Sequence, residues 1–183
     1  MKNLVIAKRY AKALFTIARA DNAVEQYGEA LAGFVGVLRE FPDFRDSIAN
    51  PFYPEDARKK VFEAIAVKME MGDIVKQFIY LLIEKGRIEN LGDICDYYHK
   101  LVDEHLNVAR ARVSAAVKLD EEAIKAIGRT LGKITGKQVV VEFERDPGLI
   151  GGVVARIGDL VIDGSVRTQL QNIKESLKRG ELG

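Results

Sequence analysis

The hydrophobic period of this chain changes once, near residue 108, and the change divides the sequence into two units of different construction. Before it, apolar residues recur at helical spacing. Ala7, Tyr10, Ala11, Leu14 and Ala18 share one face of a first helix. Val24, Tyr27, Leu31, Phe34, Val35 and Leu38 repeat the pattern in a second, with Asn22 read as its N-cap and Phe41-Pro42 as its end. A short third segment, Phe44 to Ala49, stops at Asn50-Pro51. Pro54, Glu55 and Asp56 open a fourth that runs to about Met69, with proline and acids where helix starts favour them. The fifth, Met71 to Lys85, carries Ile74, Phe78, Leu81 and Leu82 and stops at Gly86. The sixth opens between Asn90 and Asp93, carries Ile94, Tyr97, Tyr98 and Leu101, and ends about Asn107. Six helices joined by short loops make a bundle over residues 1–107.

Beyond residue 108 the period is mixed. Ala109, Ala111, Val113 and Ala115 alternate with Val108, Arg110, Arg112 and Ser114, which reads as a strand. Asp120 caps a helix through Ile134 with Gly136 as its stop, and Val139, Val141 and Phe143 alternate again. Val153 to Ile157 and Leu160 to Ile162 flank Gly158-Asp159, a two-residue loop suited to a type II′ hairpin. Ser165 then caps a final polar helix that runs to about Arg179. The expected fold is mainly α: a six-helix bundle followed by a small β-α-β-β-α unit over 108–183. A unit of about 75 residues has a small core and leans on a neighbour or a partner for stability.

Composition narrows the function. Lys plus Arg is 28 against 27 for Asp plus Glu, a net charge of +1, so no global field draws the chain to nucleic acid or anionic lipid. Cys95 is the single cysteine, which rules out an intramolecular disulfide and fits a reducing compartment. No apolar run approaches the roughly 20 residues of a membrane span. The first 20 residues are basic and acid-free but lack the serine enrichment of a transit peptide, and they run directly into the helical pattern. A bacterial setting is therefore expected.

Signs of chemistry are sparse. Gly132 to Gln138 falls short of a phosphate loop: three residues separate Gly132 and Gly136 where the loop needs four, and Gln138 follows Lys137 where it needs Ser or Thr. Gly148 to Gly152 leads into a strand, so no helix amide end is offered to phosphate. His99 and His105 lie on different helix faces, and Cys95 has no histidine or lysine beside it in sequence. No catalytic residue, metal site or cofactor is expected. Apolar excess is the more informative signal. Ile6, Tyr10, Ala13 and Ile17 form a second stripe on the first helix, and the fifth pairs Ile74, Phe78 and Leu81 with Val75, Ile79 and Leu82. Helices so widely apolar are either deeply buried or line a groove for an amphipathic helix.

Several segments resemble one family. Ala7-Lys8-Arg9-Tyr10-Ala11-Lys12-Ala13-Leu14-Phe15 is similar to the R-Y-A-x-A-L-F opening of ATP synthase delta subunits and of their mitochondrial counterpart, the oligomycin sensitivity-conferring protein. Phe78 to Arg87 resembles the fifth helix and its K-G-R turn. Asp146-Pro147-Gly148-Leu149-Ile150-Gly151-Gly152, followed by Arg156-Ile157-Gly158-Asp159 and Asp163-Gly164-Ser165-Val166, resembles the family signature. The resemblance implies a non-catalytic stator subunit of an F-type ATP synthase, peripheral on the cytoplasmic face of a bacterial cell membrane and resisting rotor torque during proton-driven ATP synthesis. It implies that the first and fifth helices bind the N-terminal helix of an alpha subunit through Tyr10, Ala13 and Leu81, with Ile6, Ile17, Ile74 and Phe78 beside them by spacing. It also implies that the C-terminal domain holds the b subunits, at no single residue identifiable from the sequence. Gly151, Gly152, Gly158 and Gly164 are then turn residues, Gly164 freeing the turn before Ser165, and Asp163 and Arg167 a candidate surface pair. The competing reading is an RNA-associated or regulatory adaptor whose basic patch comprises Arg110, Arg112, Lys118, Lys125, Arg129 and Lys133. No aromatic lies between Tyr98 and Phe143 to stack on bases, which speaks for no nucleic acid partner.

Overall fold

A computed structural model of the chain describes residues 4–180. It divides into two compact units, Met1–Val102 and Asp103–Gly183. The division falls within the sixth helix, slightly before the change of period at 107–108, and Asp103 in that helix accepts from Arg110 of the first strand.

The first unit contains α1 (Leu4–Ala20), α2 (Val24–Glu40), α3 (Pro42–Ala49), α4 (Glu55–Lys68), α5 (Asp73–Glu84) and most of α6 (Leu91–His105). Pro42 occupies the first turn of α3, where its missing N–H costs nothing, so that helix begins two residues before Phe44. Aromatic edges knit the interior. The Phe34 ring meets Phe62 at 5.2 Å and Phe44 at 6.1 Å, and Phe62 meets Tyr80 at 5.1 Å, all close to perpendicular. Tyr98 is fully buried and its hydroxyl donates to the Val24 carbonyl at 2.9 Å. Gly28 makes room for that ring: a Cβ there would lie 3.3 Å from Tyr98 Cε1.

Asn22 is not an N-cap. Its φ is 53°, and Ala23 N–H reaches back to the Ala18 carbonyl at 2.9 Å, the signature of a left-handed C-terminal closure. Asparagine tolerates that conformation, so it ends α1 instead of opening α2. Glu70 (φ 49°) and Gly86 (φ 61°) close α4 and α5 in the same way, through Met71 N–H to Ala66 and Arg87 N–H to Leu82.

The second unit is a four-stranded sheet in the order β2-β1-β3-β4, built from β1 (Val108–Ala115), β2 (Gln138–Arg145), β3 (Val153–Ile157) and β4 (Leu160–Asp163). β1 and β2 run parallel, joined by α7 (Glu121–Thr135), and β3 is antiparallel to β1 and β4. Asp120 Oδ1 accepts the Ala123 N–H at 2.7 Å and Gly136 (φ 68°) ends the helix. α7 contributes Leu131 and Ile127 to a core with Ala111, Val113 and Ala155, small residues that make this interior thin. Its glycines permit a close approach: a Cβ at Gly132 would lie 3.1 Å from the Lys137 carbonyl.

The hairpin and the last turn hold the signature. Gly158 has φ 56° while Asp159 stays at negative φ, the requirement of a type II′ loop. Gly152 has φ 83°, and a Cβ there would overlap the Gly164 carbonyl oxygen. Gly164 is not a positive-φ turn residue; its task is close approach, since its N–H donates to the Val153 carbonyl at 2.9 Å and a Cβ would stand 3.2 Å from that same oxygen. Asp163 does not use its charge on Arg167. Its carboxylate accepts the Ser165 N–H at 2.8 Å and the Thr168 hydroxyl at 2.9 Å, and Ser165 Oγ caps α8 (Val166–Gly180) by accepting the Thr168 N–H at 3.3 Å.

Those bonds, chiefly from Ser165 and then Thr168, hold the Asp163 carboxyl below the usual carboxylate range. A depressed folded pKa stabilises the folded state above the ordinary aspartate value of 3.8, and the contribution is lost as pH falls through the lower folded value. The second unit is expected to lose stability as the pH drops below about 4, and Asp163→Asn, which keeps an acceptor oxygen but cannot titrate, should flatten that part of the profile. Urea melts at a series of acid pH values check this; identical acid profiles for the two proteins would contradict it.

Candidate docking surface

α1 and α5 meet through Tyr10 and Phe78, whose ring centroids lie 6.3 Å apart at an interplanar angle of 70°. The core face of α1 is Ala7, Ala11, Leu14 and Ala18, three small residues that draw the helix close to the bundle. The second stripe flanks that face. Ile6, Tyr10 and Ile74 are half-buried, Phe78 is only 8% exposed, and Ala13, Ile17 and Leu81 open to solvent, the last two at 44% and 40%. The seven residues thus grade from the interior to the surface: Phe78 belongs to the core, Tyr10 packs against it, and Ala13, Ile17 and Leu81 are the open part.

Arg9 sits over the Tyr10 ring at 5.3 Å, and Lys85, paired with Glu84 at 2.6 Å, lies within electrostatic reach of the Tyr10 hydroxyl. The apolar strip therefore has charged edges, the arrangement of a protein-binding patch. Leu4 and Val5 add exposed apolar area at the start of α1, at 54% and 79%. They lie off the Ile6–Ile17 spacing, and their only sequence signal is the apolar opening of the helix.

Burial, reinforced by Asp96, pushes the Cys95 thiol up to about 11, so it is protonated at neutral pH. Among the described residues no group of three or more His, Cys, Asp or Glu is placed to hold a metal ion. Gly136 and Lys137 stand at the carbonyl end of α7, which repels an anion, and Gly152 leads into β3. The basic residues divide between two faces of the sheet. Ala111 and Val113 turn inward under α7, so Arg110 and Arg112 point to the opposite face from Lys125 and Arg129. Arg110 is already engaged, with Asp103 at 2.7 Å and Glu142 at 3.8 Å. The single basic patch expected from sequence does not form.

The described residues thus form a helical bundle with an open apolar strip on two adjacent helices, followed by a small α/β unit. Comparison with known proteins gives its kinship. The ATP synthase delta (OSCP) subunit family matches residues 6–177. The chain is 56% identical over 183 residues, the whole of both chains, to ATP synthase subunit delta of Syntrophobacter fumaroxidans. It is 48% identical over 181 residues to that of Desulfosudis oleivorans, covering 99% of each. Its fold matches a chain in the cryo-EM structure of the Toxoplasma gondii mitochondrial ATP synthase hexamer, with a TM-score of 0.65 at 20% identity, over 93% of this chain and 96% of that one. The chain belongs to the ATP synthase delta (OSCP) subunit family. Among the described residues no helix is long and apolar enough to cross a membrane.

Proposed function

We propose that the protein is a non-catalytic stator subunit of an F-type ATP synthase, joining the catalytic head to the peripheral stalk so that the head does not turn with the rotor. The observation that carries the reading is the open strip of Ala13, Ile17 and Leu81 beside the Tyr10–Phe78 contact. An amphipathic helix from an alpha subunit of the head laid along α1 and α5 buries that strip, and its apolar face supplies the affinity. The first unit is the head-binding domain and the second holds the b subunits of the stalk. The protein acts at the cytoplasmic face of a bacterial membrane, held there by the complex. Family membership supports this assignment. The division of basic residues between two sheet faces removes the support for a nucleic-acid adaptor.

The test is retention of the head. Tagged full-length protein, incubated with ATPase heads released from the same bacterium's membranes, is expected to hold ATP hydrolysis activity on the resin through washes at about 0.5 M salt, since apolar burial is weakly screened. Heads that pass through untouched contradict the proposal.

A further inference from the structure

α8 is a polar helix with one exception. Val166, Leu170, Ile173 and Leu177 follow a four-three-four spacing and are 37%, 60%, 57% and 67% exposed. That spacing fits the a/d seam of a two-stranded coiled coil over about two heptads. None of the four belongs to the small core under α7. A helix of 15 residues is marginal without packing, and most of the apolar surface of this one, at Leu170, Ile173 and Leu177, is left open.

The flanks of the seam are unequal. Arg167, Lys174 and Lys178 form a basic row along one side, at spacings of seven and four. Gln169 and Ser176 occupy the other, and Glu175, the single acid on the helix, lies beyond the basic row, within 3.5 Å of Gln171. Two copies of this chain do not complement one another. Antiparallel pairing sets the basic rows face to face, and parallel pairing sets them against neutral side chains. The charge pattern asks for a partner helix with acids beside its apolar stripe.

We infer that α8 is the docking helix of the second unit, pairing through Leu170, Ile173 and Leu177 with an amphipathic stalk helix whose acidic flank faces Arg167, Lys174 and Lys178. The inference takes its partner from the stator reading above and adds the element, the residues and the charge rule of the contact. The exposure of the seam lets substitutions act on docking without disturbing a core.

The experiment titrates the full chain with the water-soluble part of the b subunit of the same complex, and separately with a peptide of the alpha subunit's N-terminal helix. Circular dichroism confirms that each variant is folded. Ile173→Asp is expected to lower affinity for the b fragment about a hundredfold, by burying an unpaired charge. Charge reversal of the row (R167E, K174E and K178E together) should lower it about tenfold at low salt and far less at about 0.5 M. Alpha-peptide binding should be unchanged by both. Undiminished b-fragment binding by both variants overturns the α8 inference while leaving the stalk reading intact. If the wild-type chain binds the alpha peptide and not the b fragment, the stalk half of the reading fails and this inference fails with it. A wild-type dimer that Ile173→Asp dissociates would show that a second copy covers the seam, and would also overturn it.

Discussion

Replacing Gly152 with alanine is expected to unfold the second unit while leaving the six-helix unit folded. Gly152 has φ 83°, a region L-residues avoid, and its missing Cβ is where the Gly164 carbonyl oxygen lies, with Ser165 Cα 2.8 Å away. Both neighbours are backbone, fixed by Gly164 N–H to Val153 and Val166 N–H to Gly151, so no side-chain rotation relieves the overlap. Backbone strain of this kind costs on the order of 1 to 3 kcal/mol, and forced overpacking about the same again. A unit of this size has about 3 to 5 kcal/mol to lose. Gly158→Ala is the control. Its φ is 56° but a Cβ there meets nothing within 4 Å, so only the left-handed penalty of about 1 to 2 kcal/mol applies. Urea melts with amide NMR as the local readout should show the sheet resonances collapsing in G152A and persisting in G158A. Equal melts for G152A and the wild type would contradict the packing described here.

Placing a charge on the α1/α5 strip is expected to abolish docking to the head without unfolding the bundle. Leu81 and Ile17 lie on different helices and are both about two-fifths exposed, so an aspartate at either keeps its hydration in the free protein. Once covered by a partner helix that charge is buried and unpaired. The cost of about 2 to 5 kcal/mol corresponds to a loss of affinity of roughly thirtyfold to several thousandfold. Phe78→Asp would not be a clean test, because Phe78 is part of the core and its substitution loosens the bundle itself.

Much of this molecule was legible in its residues, for identifiable reasons. Proline at Pro42 and Pro54, glycine at Gly86 and Gly136, and the switch from helical to alternating period are local signals whose effect does not depend on tertiary context. Asn22 carries an ambiguous signal because asparagine serves equally well as an N-cap and as a left-handed closing residue; only the backbone bond from Ala23 to Ala18 decides between them. Asp163 and Arg167 have the spacing of an ion pair, yet the N–H and hydroxyl donors of the α8 first turn are nearer and fixed in place. The basic patch failed because its members are spread over β1 and α7, and which sheet face α7 covers is a tertiary fact. The second stripe of α1 and α5 could be read, but not its division into a buried Phe78 and an open Leu81. The final helix read simply as polar, because the exposure of Leu170, Ile173 and Leu177 appears only once the second unit has closed its core without them.

Mechanical coupling through the α1/α5 strip is tested by ATP-driven proton pumping in bacterial membranes from which this subunit has been removed. Added back at equal amounts, the wild-type chain is expected to restore pumping, and folded Leu81→Asp and Ile17→Asp variants are expected to leave the membranes hydrolysing ATP without pumping. Full restoration of pumping by both variants, with their folding verified, would show that the head is not held through this strip.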